Sequence, residues 1–117
     1  MDVRELVRSI LDGDLLTARE WVSEARRSRL PWMELQEPSG LSEQEMSVAA
    51  AVVELLSARS GAEPPPWTAN VGAVRNPFVL DPGLEKMPRS FAHAKSDGPE
   101  PLRKRNLVAL PDFLDVA

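Results

Sequence analysis

His93 is the only histidine in the chain, and cysteine and tyrosine are both absent. These are the side chains that most often serve as nucleophiles, proton shuttles and soft metal ligands, so the inventory for catalysis is thin. No spacing around His93 supports a catalytic role, and it reads as a surface residue on an exposed helix. Glycine is scarce, and no phosphate-cradling loop pattern appears. Carboxylates are numerous, but Glu43 and Glu45 stand where a helix begins and suit its macrodipole. Asp112 and Asp115 lie in an apolar stretch with no further ligands nearby, so neither a magnesium nor a zinc site is expected. On these residues the chain is not an enzyme and takes no cofactor.

Two basic clusters offer binding chemistry instead. Arg26, Arg27 and Arg29 close the second of two predicted helices, where cations complement the helix dipole. Read functionally, they would make the first two helices a DNA-binding helix-turn-helix. Recognition helices, however, offer their N-terminal residues to bases, and here those are Leu15, Leu16 and Thr17. The second cluster, Arg103-Lys104-Arg105, precedes the apolar run NLVALPDFLDVA. It suits acidic groups of a partner, RNA, or plain solvation of the run that follows.

Overall charge argues against nucleic acid. The net charge is −4, with seven basic and eleven acidic side chains in residues 1–60 and seven of each in residues 61–117. An acidic half followed by a neutral half offers no general attraction for a phosphate backbone, so DNA is not the expected partner. The lack of cysteine excludes disulfides and thiolate metal sites. The segment MDVRELVRSI lacks the layout of a signal peptide and no long apolar run occurs, so a cytoplasmic, non-membrane protein is expected.

The elements that must position these groups are helical, and the expected class is all-α. The organising stretch is SEQEMSVAAAVVELLSARSG, from Ser42 to Gly61. Ser42 and Glu45 form a capping-box pattern, and Gly61 fits the C′ position at the other end. Between them Met46, Val48, Ala49, Ala50, Ala51, Val52, Val53, Leu55 and Leu56 run nearly all the way round the helix. Such a helix must be enclosed on every side, by its own chain, by a second copy in a homodimer, or by another partner.

Two shorter helices precede it. One runs from Asp2 to about Asp12, with Val3, Leu6, Val7, Ile10 and Leu11 as its apolar stripe. The other, from Leu15 to Ser28, presents Leu15, Ala18, Trp21, Val22 and Ala25, and the turn Asp12-Gly13-Asp14 makes the two neighbours. Trp32 and Leu35 are expected to fold back as a lid on this hairpin. The expected architecture is a small bundle of three main helices around the central one (about 42–60).

Nine of the eleven prolines fall in the second half. Residues 1–63 therefore read as a helical platform, and residues 64–117 as a proline-rich arm of short helices and extended segments. Phe78-Val79-Leu80 reads as extended, without a partner strand to make a sheet. Met87-Pro88 opens a short helix bounded by Gly98. The apolar stretches around Trp32, around Trp67 and from Leu107 to Val116 are many for so small a monomer, and they hint at a protein partner. The last of them, with the arm around it, is either docked on the chain's own domain or offered to that partner.

Three stretches carry a resemblance: Ala18-Arg19-Glu20-Trp21-Val22-Ser23-Glu24-Ala25-Arg26, Pro65 to Gly72, and Glu100 to Ala117. In these the chain resembles small actinobacterial helical proteins that look like antitoxin partners encoded beside nucleotidyltransferase-like toxins. The resemblance implies a module that binds and restrains a neighbouring enzyme without catalysis of its own. With that reading, Trp67, Phe78, Phe113 and Leu114 become candidate apolar anchors. Arg103, Lys104 and Arg105 become candidate partners for the carboxylates of a metal-dependent toxin. The arm would wrap the partner, and a chain lacking residues 99–117 would lose binding while keeping its helices.

Overall fold

A computed structural model of the chain describes residues 2–116. It is mostly helical: α1 is Val3–Leu11, α2 Leu15–Arg27, α3 Glu43–Arg59, α4 Pro88–Asp97 and α5 Glu100–Arg103. Single helical turns at Trp32–Glu34, Pro66–Asn70 and Leu84–Lys86 link them. No helix among the described residues is long and apolar enough to cross a membrane.

Local chemistry sets the helix ends. Asp2 and Asp14 cap α1 and α2 by accepting from the amides of Arg4 and Thr17 at 2.9 and 3.1 Å. In α3 the Ser42 hydroxyl accepts from the Glu45 amide at 3.1 Å, and Glu45 accepts from the Ser42 amide at 2.9 Å. The capping box is complete. Gly61 sits at φ 70° after α3, so that its amide reaches Ala58 O and the Ala62 amide reaches Ser57 O. This Schellman closure needs a left-handed residue, which glycine supplies without steric cost.

The apolar-all-round helix α3 is enclosed by its own chain. Val48 to Val53 are fully buried, and Ser47, Leu55, Leu56 and Ser57 are nearly so. α1 packs against both α2 and α3, while α5 and the Pro66–Asn70 turn take other flanks of α3. Each fully buried valine or leucine on α3 adds about 1.5–3 kcal/mol of burial free energy. Trp21 and Trp32 meet over the hairpin with ring centroids 6.3 Å apart. The Trp21 indole donates to Asp2 O at 3.0 Å, so its polar end is satisfied.

The second half joins the same core. Leu80, Leu102, Leu107, Ala109, Phe113 and Leu114 share one hydrophobic cluster with residues of α1, α2 and α3. Phe78-Val79, expected to lack a strand partner, finds one. It forms β1 and pairs in parallel with β2, Leu107–Val108, in the register Phe78↔Leu107 and Val79↔Val108. The crossover between them contains α4 and α5, the kind of long connection that parallel pairing requires.

Gly98 shows how closely this half is packed. A Cβ there would lie 2.5 Å from both Ala94 O and Ala109 O, and neither backbone can give way. Gly98→Ala should therefore destabilise by about 1–3 kcal/mol in urea unfolding. Gly72→Ala, where a Cβ meets nothing within 4 Å, should stay within about 0.5 kcal/mol of the parent. Equal effects at the two positions would refute this account of the α4–β2 approach.

Candidate functional site

The basic triplet expected to face a partner splits into three directions. Arg105 turns inward and is 3% exposed. Its guanidinium holds the Glu54 carboxylate with both ends, Nη1 to Oε1 at 2.7 Å and Nη2 to Oε2 at 3.0 Å. It also donates to Pro101 O at 3.1 Å, Thr68 O at 2.8 Å and Val71 O at 3.3 Å. A buried charge is tolerable only when paired and hydrogen-bonded in this way. This corrects the expectation for Arg105: its hydrogen-bonding groups are taken up inside the fold, tying α3 to two loops.

Lys104 is half-exposed and reaches Glu54 Oε1 at 2.9 Å. Arg103 is exposed, and its Nε donates to Gly98 O at 2.6 Å, across the α4–α5 junction. Burial opposes ionisation of Glu54, but hydrogen bonds from Arg105 and Lys104 outweigh it and hold the carboxyl down at about 2. Glu54 is the site residue that sequence reading missed. Its signal was present, since it is the one charged residue between Met46 and Ala58.

The apolar anchors also separate. Phe113 and Leu114 are 2% and 1% exposed, inside the chain's own core. Of the two places open to this run, its own domain or a partner, this conformation uses the first, because burying them here removes two large side chains from water. Two arginines grip the segment by its carbonyls. Arg59 donates to Phe113 O at 2.6 Å and Pro111 O at 3.1 Å, and Arg26 donates to Val116 O at 2.8 Å. Leu114 has φ 58°, a left-handed conformation that costs a non-glycine residue about 1–2 kcal/mol. At the root of the segment the Leu110 amide donates to Asp81 Oδ2 at 2.7 Å. Burial raises the Asp81 carboxyl above its ordinary range despite that bond.

Trp67 and Phe78 stay half-buried. The Trp67 indole donates to Leu35 O at 2.9 Å and pins the two loops together. Phe78 lines a shallow depression between the first turns of α3 and the loop after Val71, with Glu43, Gln44, Ser47, Val74 and Arg75. A second depression, reaching Leu41, Met46 and Gly72, shares Glu43, Ser47 and Ala73 with the first. Ser47 donates to Gly72 O at 2.8 Å and fixes the loop to the helix. The side chains of Glu43, Gln44, Arg75 and Asn76 make no hydrogen bond or ion pair among the described residues.

No group of three or more His, Cys, Asp or Glu is gathered for a metal among the described residues. His93 Nδ1 lies 3.0 Å from Asp97 Oδ2, one helical turn on along α4, a spacing that sequence reading passed over. Both side chains are more than half exposed, and the neighbouring Ser96 hydroxyl donates to Asp97 Oδ2 at 3.3 Å and to the carbonyls of Ala92 and His93. On α2, Arg27 pairs with Glu24 one turn back at 2.6 Å, while Arg26 reaches across the fold to Val116 O. No family model, curated protein or solved structure matches the chain.

The Glu54 pair has a pH signature with a definite sign. Its folded carboxyl lies at about 2, below the ordinary 4.5, so its stabilisation is complete above 4.5 and lost as pH falls towards 2. Urea unfolding should lose on the order of 2 kcal/mol across that window through this group. Glu54→Gln should flatten the slope there and, by leaving Arg105 buried without its anion, lower stability at neutral pH by about 3–5 kcal/mol. An unchanged slope in the variant would show that the pair does not carry the acid sensitivity. Asp81 has the opposite sign. Its raised folded value makes ionisation unfavourable in the fold, so Asp81→Asn, which keeps an oxygen for the Leu110 amide, should match or exceed parent stability at pH 7.

Proposed function

We propose that the chain is a non-catalytic protein-binding module, the antitoxin of a pair in which it binds and neutralises a nucleotidyltransferase-like toxin. The antitoxin part rests on the resemblance carried by the Trp21, Pro65–Gly72 and Glu100–Ala117 stretches. The binding part rests on one observation, the double depression between the first turns of α3 and the Val71–Phe78 loop. Its lining mixes apolar and polar groups in like measure: half-buried Val74 and Phe78 stand beside Glu43, Gln44, Arg75 and Asn76, whose polar groups are unspent. Apolar side chains mixed with free polar groups in this way suit a non-obligate protein interface, which is about as apolar as the rest of a protein's surface.

Phe78 then serves as the central anchor. Trp67 supports the loop from behind, and Arg103 and Lys104 supply positive charge beyond it. The competing reading, DNA binding through α1 and α2, draws less support, because Arg26 and Arg27 already have partners within the chain.

Co-expression with the protein encoded beside it, followed by size-exclusion chromatography and a growth assay, tests the proposal. A stable complex that restores growth is the expected result. Arg75→Glu with Asn76→Ala should weaken that complex by at least about tenfold while leaving helical circular dichroism unchanged. Separate elution and no effect on growth would remove the antitoxin reading. A complex indifferent to the double variant would move the interface elsewhere.

A further inference from the structure

We propose that the strap Pro111–Val116 is a latch that opens as a unit while α1, α2 and α3 remain folded, and that opening presents Phe113 and Leu114 to an apolar slot on a partner protein. The presentation rests on the protein-binding reading above; the opening does not.

The attachments of the strap differ in kind from those of the helices. Its backbone hydrogen bonds among the described residues are two turns, Phe113 N to Leu110 O and Asp115 N to Asp112 O, both closed locally. No β-ladder or helix ladder ties it down. Among the described residues its hydrogen bonds to the rest of the fold come from Arg26 and Arg59, whose guanidiniums grip the carbonyls of residues 111, 113 and 116. Arg26 is exposed. Arg59 is exposed as a residue, but its bond to Phe113 O is part-buried, and burial pushes its guanidinium pKa down against the pull of Asp115 and Asp112. Water reaches both guanidiniums once the strap leaves, so the net worth of these bonds is small. What remains is the burial of Phe113 and Leu114, opposed by the left-handed backbone at Leu114. That strain is released on opening.

The flanking geometry allows the motion. Asp81 holds the Leu110 amide, and the next residue, Pro111, has a fixed φ. The hinge is thereby confined to the two residues where the strap begins. β2 and α5, which pack on α4 and α3, need not move. Local openings of this type, below the free energy of global unfolding, are drawn from segments with few backbone bonds to regular structure.

Residue-resolved hydrogen exchange on the full chain tests the latch. The reporters are the amides of Phe113 and Asp115, which are hydrogen-bonded when the strap is closed. They should exchange on the order of 100-fold faster than the amides of Val52 and Val53 at the middle of α3. The double variant R26A/R59A should accelerate them by at least a further tenfold or so without changing the α3 amides. Exchange of the strap and α3 at one common rate would overturn the latch, and the parent protein alone suffices for that comparison if the variant folds poorly. In the co-expression assay, R26A/R59A should bind the partner more tightly than the parent; weaker or equal binding would overturn the presentation of Phe113 and Leu114. If no form of the chain binds the partner, the protein-binding reading fails, and presentation with it, while exchange still decides whether the strap opens.

Discussion

The structure depends on the need to enclose one helix on all sides. α3 carries valine, alanine and leucine around its whole circumference, and a single packing partner would leave most of that surface in water. The α1–α2 hairpin can cover only one flank. The remainder falls to a second half that is rich in proline and poor in long elements. That half therefore carries its apolar residues in short pieces, each placed against a different part of the core: Leu80 after β1, Leu102 in α5, Leu107 in β2, and Phe113 and Leu114 in the strap. Glu54 adds a second demand on the same helix. A carboxylate at 11% side-chain exposure needs a cation, and the cation must arrive with its own remaining donors satisfied. Arg105 does this by taking carbonyls from Pro101, Thr68 and Val71, so one ion pair fixes α3, the Pro66–Asn70 turn and the end of α5 together.

What was legible in the sequence was local. Ser42 with Glu45, Gly13, Gly61 and the stripe Val3, Leu6, Val7 and Ile10 are decided by contacts within a few residues, and each stands where the pattern places it. Trp32 over the hairpin also followed, because short connections leave few places for a large ring. The misses lie at long separations. Glu54 and Arg105 are 51 residues apart, and neither side chain carries a mark naming the other. Phe78 and Leu107 pair as strands across α4 and α5, through an arrangement that no period of two could announce over two residues.

Arg103-Lys104-Arg105 misled for a different reason. Three consecutive cations look like one patch, but the chain leaves α5 through a tight turn that ends at Asn106 with φ 63°. Successive side chains around such a turn point apart. One is sealed into the core, one sits at the rim of the Glu54 site, and one returns to the carbonyl of Gly98. Composition measured the charge correctly and said nothing about its direction. The same holds for the strap, where apolar content was visible but the choice between its own core and a partner was not.

That choice sets the energetics of any binding role. The depression beside α3 is open in the fold, and a partner entering it would displace no folded contacts; its polar groups would give orientation more than affinity. The strap is the opposite case, holding the two most apolar side chains of its segment but already using them. A partner that takes them must first return that buried surface, and gains only the difference between its own slot and the one vacated. Part of the difference is offset in advance, because Leu114 gives up an unfavourable backbone conformation and Arg26 and Arg59 regain water. Binding through the strap would thus be gated by the chain's own fold. Binding through the depression would not, and the two surfaces would respond differently to any substitution that loosens the core around α3.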